Sequence, residues 1–251
     1  AHRTYGRALE TWKGEPLTSS TIDIWSKRTP RMVVSDWYLA DDYHVDHGDG
    51  ADFYSAGASR GCGGNGLWSG DKLWVSNNFT ASRVLANGPV RVLFELDYQS
   101  YDVNNMSVTE TKRISLDAGQ HFDHFQSTYK IASDKSAPVE AAIGLKKAPG
   151  EQLAVNEERG WLAKWEVMEK KAGNQGLAII AAPKTFVKKT EDALNQLVIA
   201  KLGDGNVSSY WAGFCWDKSG GITSLDAWKK HVDEFAQSIA EPVKVTVSAA
   251  K

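Results

Sequence analysis

The feature that most constrains this chain is a succession of short runs rich in Val, Ile, Thr, Trp and Phe, closed by turns of glycine, proline or asparagine. The runs at 22–34, 72–84, 90–98, 107–116, 121–131, 139–145, 161–167, 177–180, 197–202 and 208–215 suit strands better than helices. Asn87-Gly88-Pro89 and Asp117-Ala118-Gly119-Gln120 are turn signals, so the runs flanking them read as antiparallel neighbours. Many short strands at this spacing predict an antiparallel β-sandwich. One helix is expected near the C-terminus. Ser224 can cap it, Leu225, Trp228, Val232, Phe235 and Ile239 form one apolar stripe, and Pro242 follows its end. That helix should lie against the sheet, and the alternating stretch 242–247 should return as a strand.

With 251 residues, 42% of them hydrophobic, the chain can bury one substantial core. No repeat, low-complexity segment or linker divides it, so residues 1–251 read as a single domain. It opens on Ala1-His2-Arg3-Thr4-Tyr5-Gly6-Arg7, already of folded character, and a missing N-terminal leader or segment is expected. A formal charge of −2 gives no support to nucleic-acid binding. No apolar stretch approaches the ~20 residues of a spanning helix, so no membrane partner is expected. Cys62 and Cys215 allow one intramolecular bridge, and a disulfide, two buried thiols or a reactive Cys62 all fit the sequence.

The chemistry concentrates between Tyr43 and Trp68. Tyr43-His44-Val45-Asp46-His47-Gly48-Asp49-Gly50-Ala51-Asp52-Phe53-Tyr54, then Ser59-Arg60-Gly61-Cys62-Gly63-Gly64-Asn65-Gly66-Leu67-Trp68, bring imidazoles, carboxylates, phenols, a guanidinium and a thiol together among glycines. Such a stretch reads as an active-site loop. His44 and His47 beside Tyr43 and Tyr54 form an acid and base set. His44, Asp46, His47, Asp49 and Asp52 also carry the donor types of a divalent-cation site, with Asp46, Asp49 and Asp52 as its carboxylates. His121 and His124 lie three apart in a strand and should point to opposite faces. Trp25, Trp37, Trp68 and Trp74, among ten tryptophans, are candidate platforms for sugar rings.

Several segments together resemble a bacterial family of secreted or periplasmic proteins, labelled a domain of unknown function, found with enzymes that dismantle uronic-acid polysaccharides. They are Tyr5-Gly6, Ile24-Trp25-Ser26-Lys27-Arg28, 47–54, 59–64, Val75-Ser76-Asn77-Asn78-Phe79, 85–91, 109–119 and Gly213-Phe214-Cys215-Trp216. The resemblance implies a β-sandwich of the super-sandwich, galactose-mutarotase-like type, and a periplasmic or secreted location. It further implies β-elimination on uronic-acid oligosaccharides such as those of ulvan. The outcome would be dehydration of a terminal uronate to a 4,5-unsaturated sugar, or lyase cleavage.

Such a reaction needs a base for the proton α to the carboxylate, an acid for the leaving oxygen, and a positive charge on the carboxylate. His44, His47, Tyr54 and Arg60 are the expected catalytic groups. Tyr43, Arg113, His124 and Trp68 are the expected substrate contacts. A divalent cation could clamp the uronate instead. Two further classes fit the same residues. One is a glycoside hydrolase or mutarotase-like enzyme using Asp46, Asp49, Asp52 or Glu95, and the other is a carbohydrate-binding module without catalysis.

Overall fold

A computed structural model describes residues 2–4, 19–40, 42–132 and 138–246. Its strands are β1 (His2–Thr4), β2 (Ile22–Ile24), β3 (Ser26–Lys27), β4 (Gly50–Ala51), β5 (Cys62–Ser69), β6 (Lys72–Trp74), β7 (Ala81–Asn87), β8 (Arg91–Val103) and β9 (Met106–Asp117). There follow β10 (Phe122–Ala132), β11 (Glu140–Lys146), β12 (Gln152–Asn156), β13 (Trp161–Val167), β14 (Asn174–Ala181), β15 (Phe186–Glu191), β16 (Asn195–Ala200) and β17 (Val207–Trp216). Among the described residues there are also two α-helices, α1 (Val34–Tyr38) and α2 (Leu225–Ala240).

The strands form an antiparallel β-sandwich. One sheet runs β12-β13-β14-β17-β10-β9-β8-β7, and the facing sheet runs β15-β16-β11-β5-β6. Alternation decides which side chains meet between them. Leu96, Ile114, Phe125, Leu162, Leu177, Ile179 and Tyr210 of the larger sheet pack against Cys62, Ile143, Leu145 and Val198 of the smaller. The opposite parity of the larger sheet, Trp161, Ala163, Ala178, Ile180 and Cys215, is covered by Trp228, Val232 and Ala236 of α2. Ser224 caps that helix as expected, its Oγ accepting the Ala227 N–H.

Three expectations need correction. The glycine-rich stretch read as a continuation of the loop is strand β5, paired with β11 and β6 inside the smaller sheet. Its glycines serve close approach: a Cβ on Gly63, at φ +93°, would stand 2.1 Å from the Ala212 Cβ of the facing sheet. The run 22–34 is two short strands followed by the approach to α1. Residues 242–246 form no strand, and Val243 and Val245 are exposed. Among the described residues no helix is long and apolar enough to cross a membrane.

The interior is not wholly apolar. Asn65 Nδ2 donates to Glu110, Ser127 and Tyr129, and Lys112 lies 3.5 Å from Glu110. These buried polar groups partner one another, which lowers the cost of holding them in a core, although among the described residues the Asn65 Oδ1 atom has no hydrogen-bond partner.

Candidate functional site

Strands β3 and β4 pair Ser26 with Ala51 and Lys27 with Gly50, and close residues 28–49 into a loop. One salt bridge organises it. The Asp46 carboxylate takes both forks of Arg28, at 3.0 and 2.8 Å, and also accepts the Gly48 and Gly50 N–H groups at 2.9 and 3.0 Å. The Arg28 guanidinium, helped by those amides, lowers the Asp46 carboxyl to about 2. Beside it Trp25 is stacked between Trp37 and Tyr43, and Tyr43 lies against His44. Val33 and α1 carry Trp37 into this stack, which is why a five-residue helix persists at an otherwise exposed position.

The expected site residues divide among several places. His44 and His47 stay on the loop surface. The His44 Nδ1–H donates to the Asp52 carbonyl at 2.8 Å, with the buried Asp52 carboxylate 3.7 Å away, and His47 Nε2 meets Asp42 at 2.7 Å. Asp46, Asp49 and Asp52 do not converge as ligands. They face Arg28, Arg31 and His44 respectively, and among the described residues no group of three or more His, Cys, Asp or Glu is arranged for a metal ion.

Tyr54 and Arg60 lie inside the sandwich. Burial raises the Tyr54 phenol well above its ordinary range, contrary to the lowering by neighbouring cations that proton exchange requires, and among the described residues its hydroxyl has no hydrogen-bond partner. Arg60 donates to the Ser20 carbonyl at 3.1 Å and the Ser19 hydroxyl, and its methylenes fill the space that a Gly144 Cβ would take. Desolvation lowers its guanidinium. Trp68 sits on the far face of the smaller sheet, among Ala142, Leu197, Ile199 and Leu73.

Arg113 and His124 share the outer face of the larger sheet. Arg113 is bound to Glu95, which also takes Arg83. His124 is stacked on its cross-strand partner Trp211 at 4.4 Å and contacts the Ser209 hydroxyl at 2.9 Å. Burial, and secondarily Arg91, lower the His124 imidazole.

A pocket of about 200 Å³ opens at the end of the sandwich where the β9–β10 turn, the end of β17 and the start of the 28–49 loop meet. Lys27, Arg28, His121, Asp123 and Trp216 supply its chemistry. Arg28 spans loop and pocket: held by Asp46 on one side, its guanidinium rests 4.4 Å above the Trp216 ring, a cation–π contact. Trp216 is fixed in turn by donating to the Ala172 carbonyl at 2.8 Å. Lys27 donates to the Arg31 carbonyl, and among the described residues no carboxylate pairs with it. Its ammonium is lowered first by burial and then by Arg31.

His121 precedes β10, and its Nδ1 lies 3.0 Å from the Phe214 carbonyl. A carbonyl only accepts, so Nδ1 carries the hydrogen and the Nε2 lone pair is left free for a proton in the neutral ring. Asp123 is buried on the inner face of β10. Cys215 lines the same wall, but burial raises its thiol to about 12, which leaves it a poor nucleophile. Cys62 and Cys215 are both free and buried.

Lys27, Arg28 and Trp216 were not among the expected site residues, and neither was His121, in whose place His124 was expected. A signal for the first three did exist. The segments 24–28, 109–119 and 213–216, each singled out in the sequence, contribute Lys27 and Arg28, Leu116, and Phe214 to Trp216 to this one pocket.

The model of the family described as "Domain of unknown function (DUF4861)" matches residues 1–245. The chain belongs to this family. A protein of Formosa agariphila named "Uncharacterized protein P7" is 32% identical over 263 aligned positions, covering 98% of the chain and 65% of that protein. The chain thus spans just under two thirds of its relative's length. No solved structure matches it significantly.

Proposed function

We propose that this DUF4861 chain is a carbon–oxygen lyase acting on a uronic-acid-containing oligosaccharide in the pocket between Arg28, His121 and Trp216. The observation that carries the reading is a fixed imidazole and a cation that no described carboxylate pairs, lining one small cavity. A volume of about 200 Å³ accommodates a single sugar ring, with the rest of a chain outside.

In this reading Lys27, with Arg28 beside it, offsets the uronate carboxylate and the charge that develops on it. His121 Nε2 takes the C5 proton, the C4–C5 double bond forms as the C4–O bond breaks, and the resulting imidazolium returns the proton to the departing oxygen. One imidazole on one face of the ring serves both steps, which makes the elimination syn. If the departing oxygen is a hydroxyl the product has lost water. If it bears a sugar the chain is cut.

Hydrolysis by a pair of carboxylates is less well supported, because Asp123 is the single carboxylate among the described lining residues and that mechanism needs two. The test is incubation with oligosaccharides of ulvan, pectin, alginate and glycosaminoglycans, following ultraviolet absorbance of the conjugated product and its mass. Rising absorbance with loss of water, or with chain cleavage, is the expected result. Product masses that have gained water with no absorbance, or silence across the panel with folded protein, would overturn it.

A further inference from the structure

The second imidazole near the pocket belongs to α2. His231 lies flat against Phe122 at 5.8 Å and 13°, and beside Trp228 at 5.8 Å and 22°, while its ring meets His121 edge-on at 5.0 Å and 79°. Trp228, His231 and Phe235 follow one another down the stripe by which α2 packs, and the Trp228 indole N–H is anchored on the Leu177 carbonyl at 3.2 Å. His121 is therefore gripped from both sides, by the Phe214 carbonyl and by the helix. The His231 Nε2 atom is buried and has no hydrogen-bond partner among the described residues.

We propose that His231 is a positioning residue for His121, and that the two imidazoles act as a coupled pair that holds one proton at a time. This rests on the reading of the pocket as an acid–base site. Two imidazolium rings in contact repel, and the apolar wall of Phe122 and Trp228 gives neither charge water to lean on. Burial first, then His121, keeps the His231 ring below the usual histidine range.

Other titratable groups face the pair. Glu234, one turn along α2, favours charge on His231, more weakly than burial and His121 oppose it. Lys27, Arg28 and Asp123 face His121 from the loop and β10, and Cys215 faces it from β17 as a neutral thiol. While His121 carries the proton removed from substrate, His231 stays neutral. The imidazolium therefore passes its proton to the leaving oxygen without a second charge at its edge.

The experiment is histidine titration by NMR on the full chain, comparing wild type with His231→Phe, which keeps an aromatic ring on Phe122, and with His121→Gln. In wild type both resonances are expected to titrate in linked steps. In H121Q the His231 curve should become a single step and move to higher pH, and in H231F the His121 curve should become a single step. Single, independent curves in wild type, unmoved by either substitution, would overturn the proposal. Because the readout needs no substrate, it separates failure of the coupling from failure of the elimination reading. Where turnover is present, H231F should displace the acidic limb of the pH–rate profile, and an unmoved limb would assign His231 a purely structural role.

Discussion

Lys164 is fully buried on the inner face of β13, where its ammonium reaches Glu151 and the Lys146 carbonyl at 2.5 Å each and is paired also with Glu166. Gln196 and Gln175 donate to the outer oxygens of those two carboxylates. Removing the cation would leave two carboxylates facing each other in the core. We expect Lys164→Met to cost about 3–5 kcal/mol in urea denaturation, the range for breaking a buried pair from one side. An unchanged midpoint would mean that the carboxylates reorganise or take up a proton at little cost.

The same residue shows what a sequence pattern hides. Lys164 stands in a run that, Glu166 apart, otherwise reads as an apolar strand, and Tyr54 and Arg60 stand in a run that reads as catalytic, yet all three are interior groups. Side-chain type announces chemistry, whereas burial is set by strand parity and by sheet partners distant in the chain. His121 was visible only as the neighbour of His124, which was the residue expected at the site. What could not be read was that one carbonyl from β17 would fix its tautomer, since the two residues are 93 positions apart.

At the scale of elements, helix α2 was legible throughout, because cap, stripe and following proline are local signals. Strand β5 was not, because a run of glycines has no side-chain alternation and its strand character comes from its neighbours. Gly63→Ala tests that account: its Cβ must displace Ala212, and the positive φ resists any L side chain. We expect a marked loss of thermal stability, only partly restored by adding Ala212→Gly, which relieves the contact but not the backbone. Full stability in the single variant would show the sheets to be less closely apposed at this point.

The loop behaves as an element too. With its carboxyl lowered to about 2, Asp46 keeps its hold on Arg28 over the whole neutral and mildly acidic range, and that contribution is lost only as pH falls through the lowered value.

For the whole molecule, stability should instead respond to pH through histidine. His124 and His231 both bind protons less readily folded than unfolded, chiefly because they are buried. Below the unfolded histidine value of about 6.5 the unfolded chain takes up more protons, so stability should fall as pH drops through that value. The fall should be shallower in His231→Phe, as followed by thermal unfolding across the range. A melting temperature that rises on acidification, or an unaltered slope in H231F, would count against these burial effects.

The sandwich brings three separated segments, 27–29, 116–123 and 214–219, to one mouth, and it leaves the most conspicuous histidine loop outside that mouth, tied to it through Asp46 and Arg28. The central claim is that proton chemistry belongs to the pocket imidazole and not to the loop imidazoles. The most direct measurement is the rate of conjugated-product formation on one uronate oligosaccharide by wild type, His121→Gln and His47→Gln, each confirmed folded. The account predicts that H121Q loses turnover by orders of magnitude while H47Q stays near wild type. Loss in H47Q with turnover kept in H121Q would contradict it and move the chemistry to the loop.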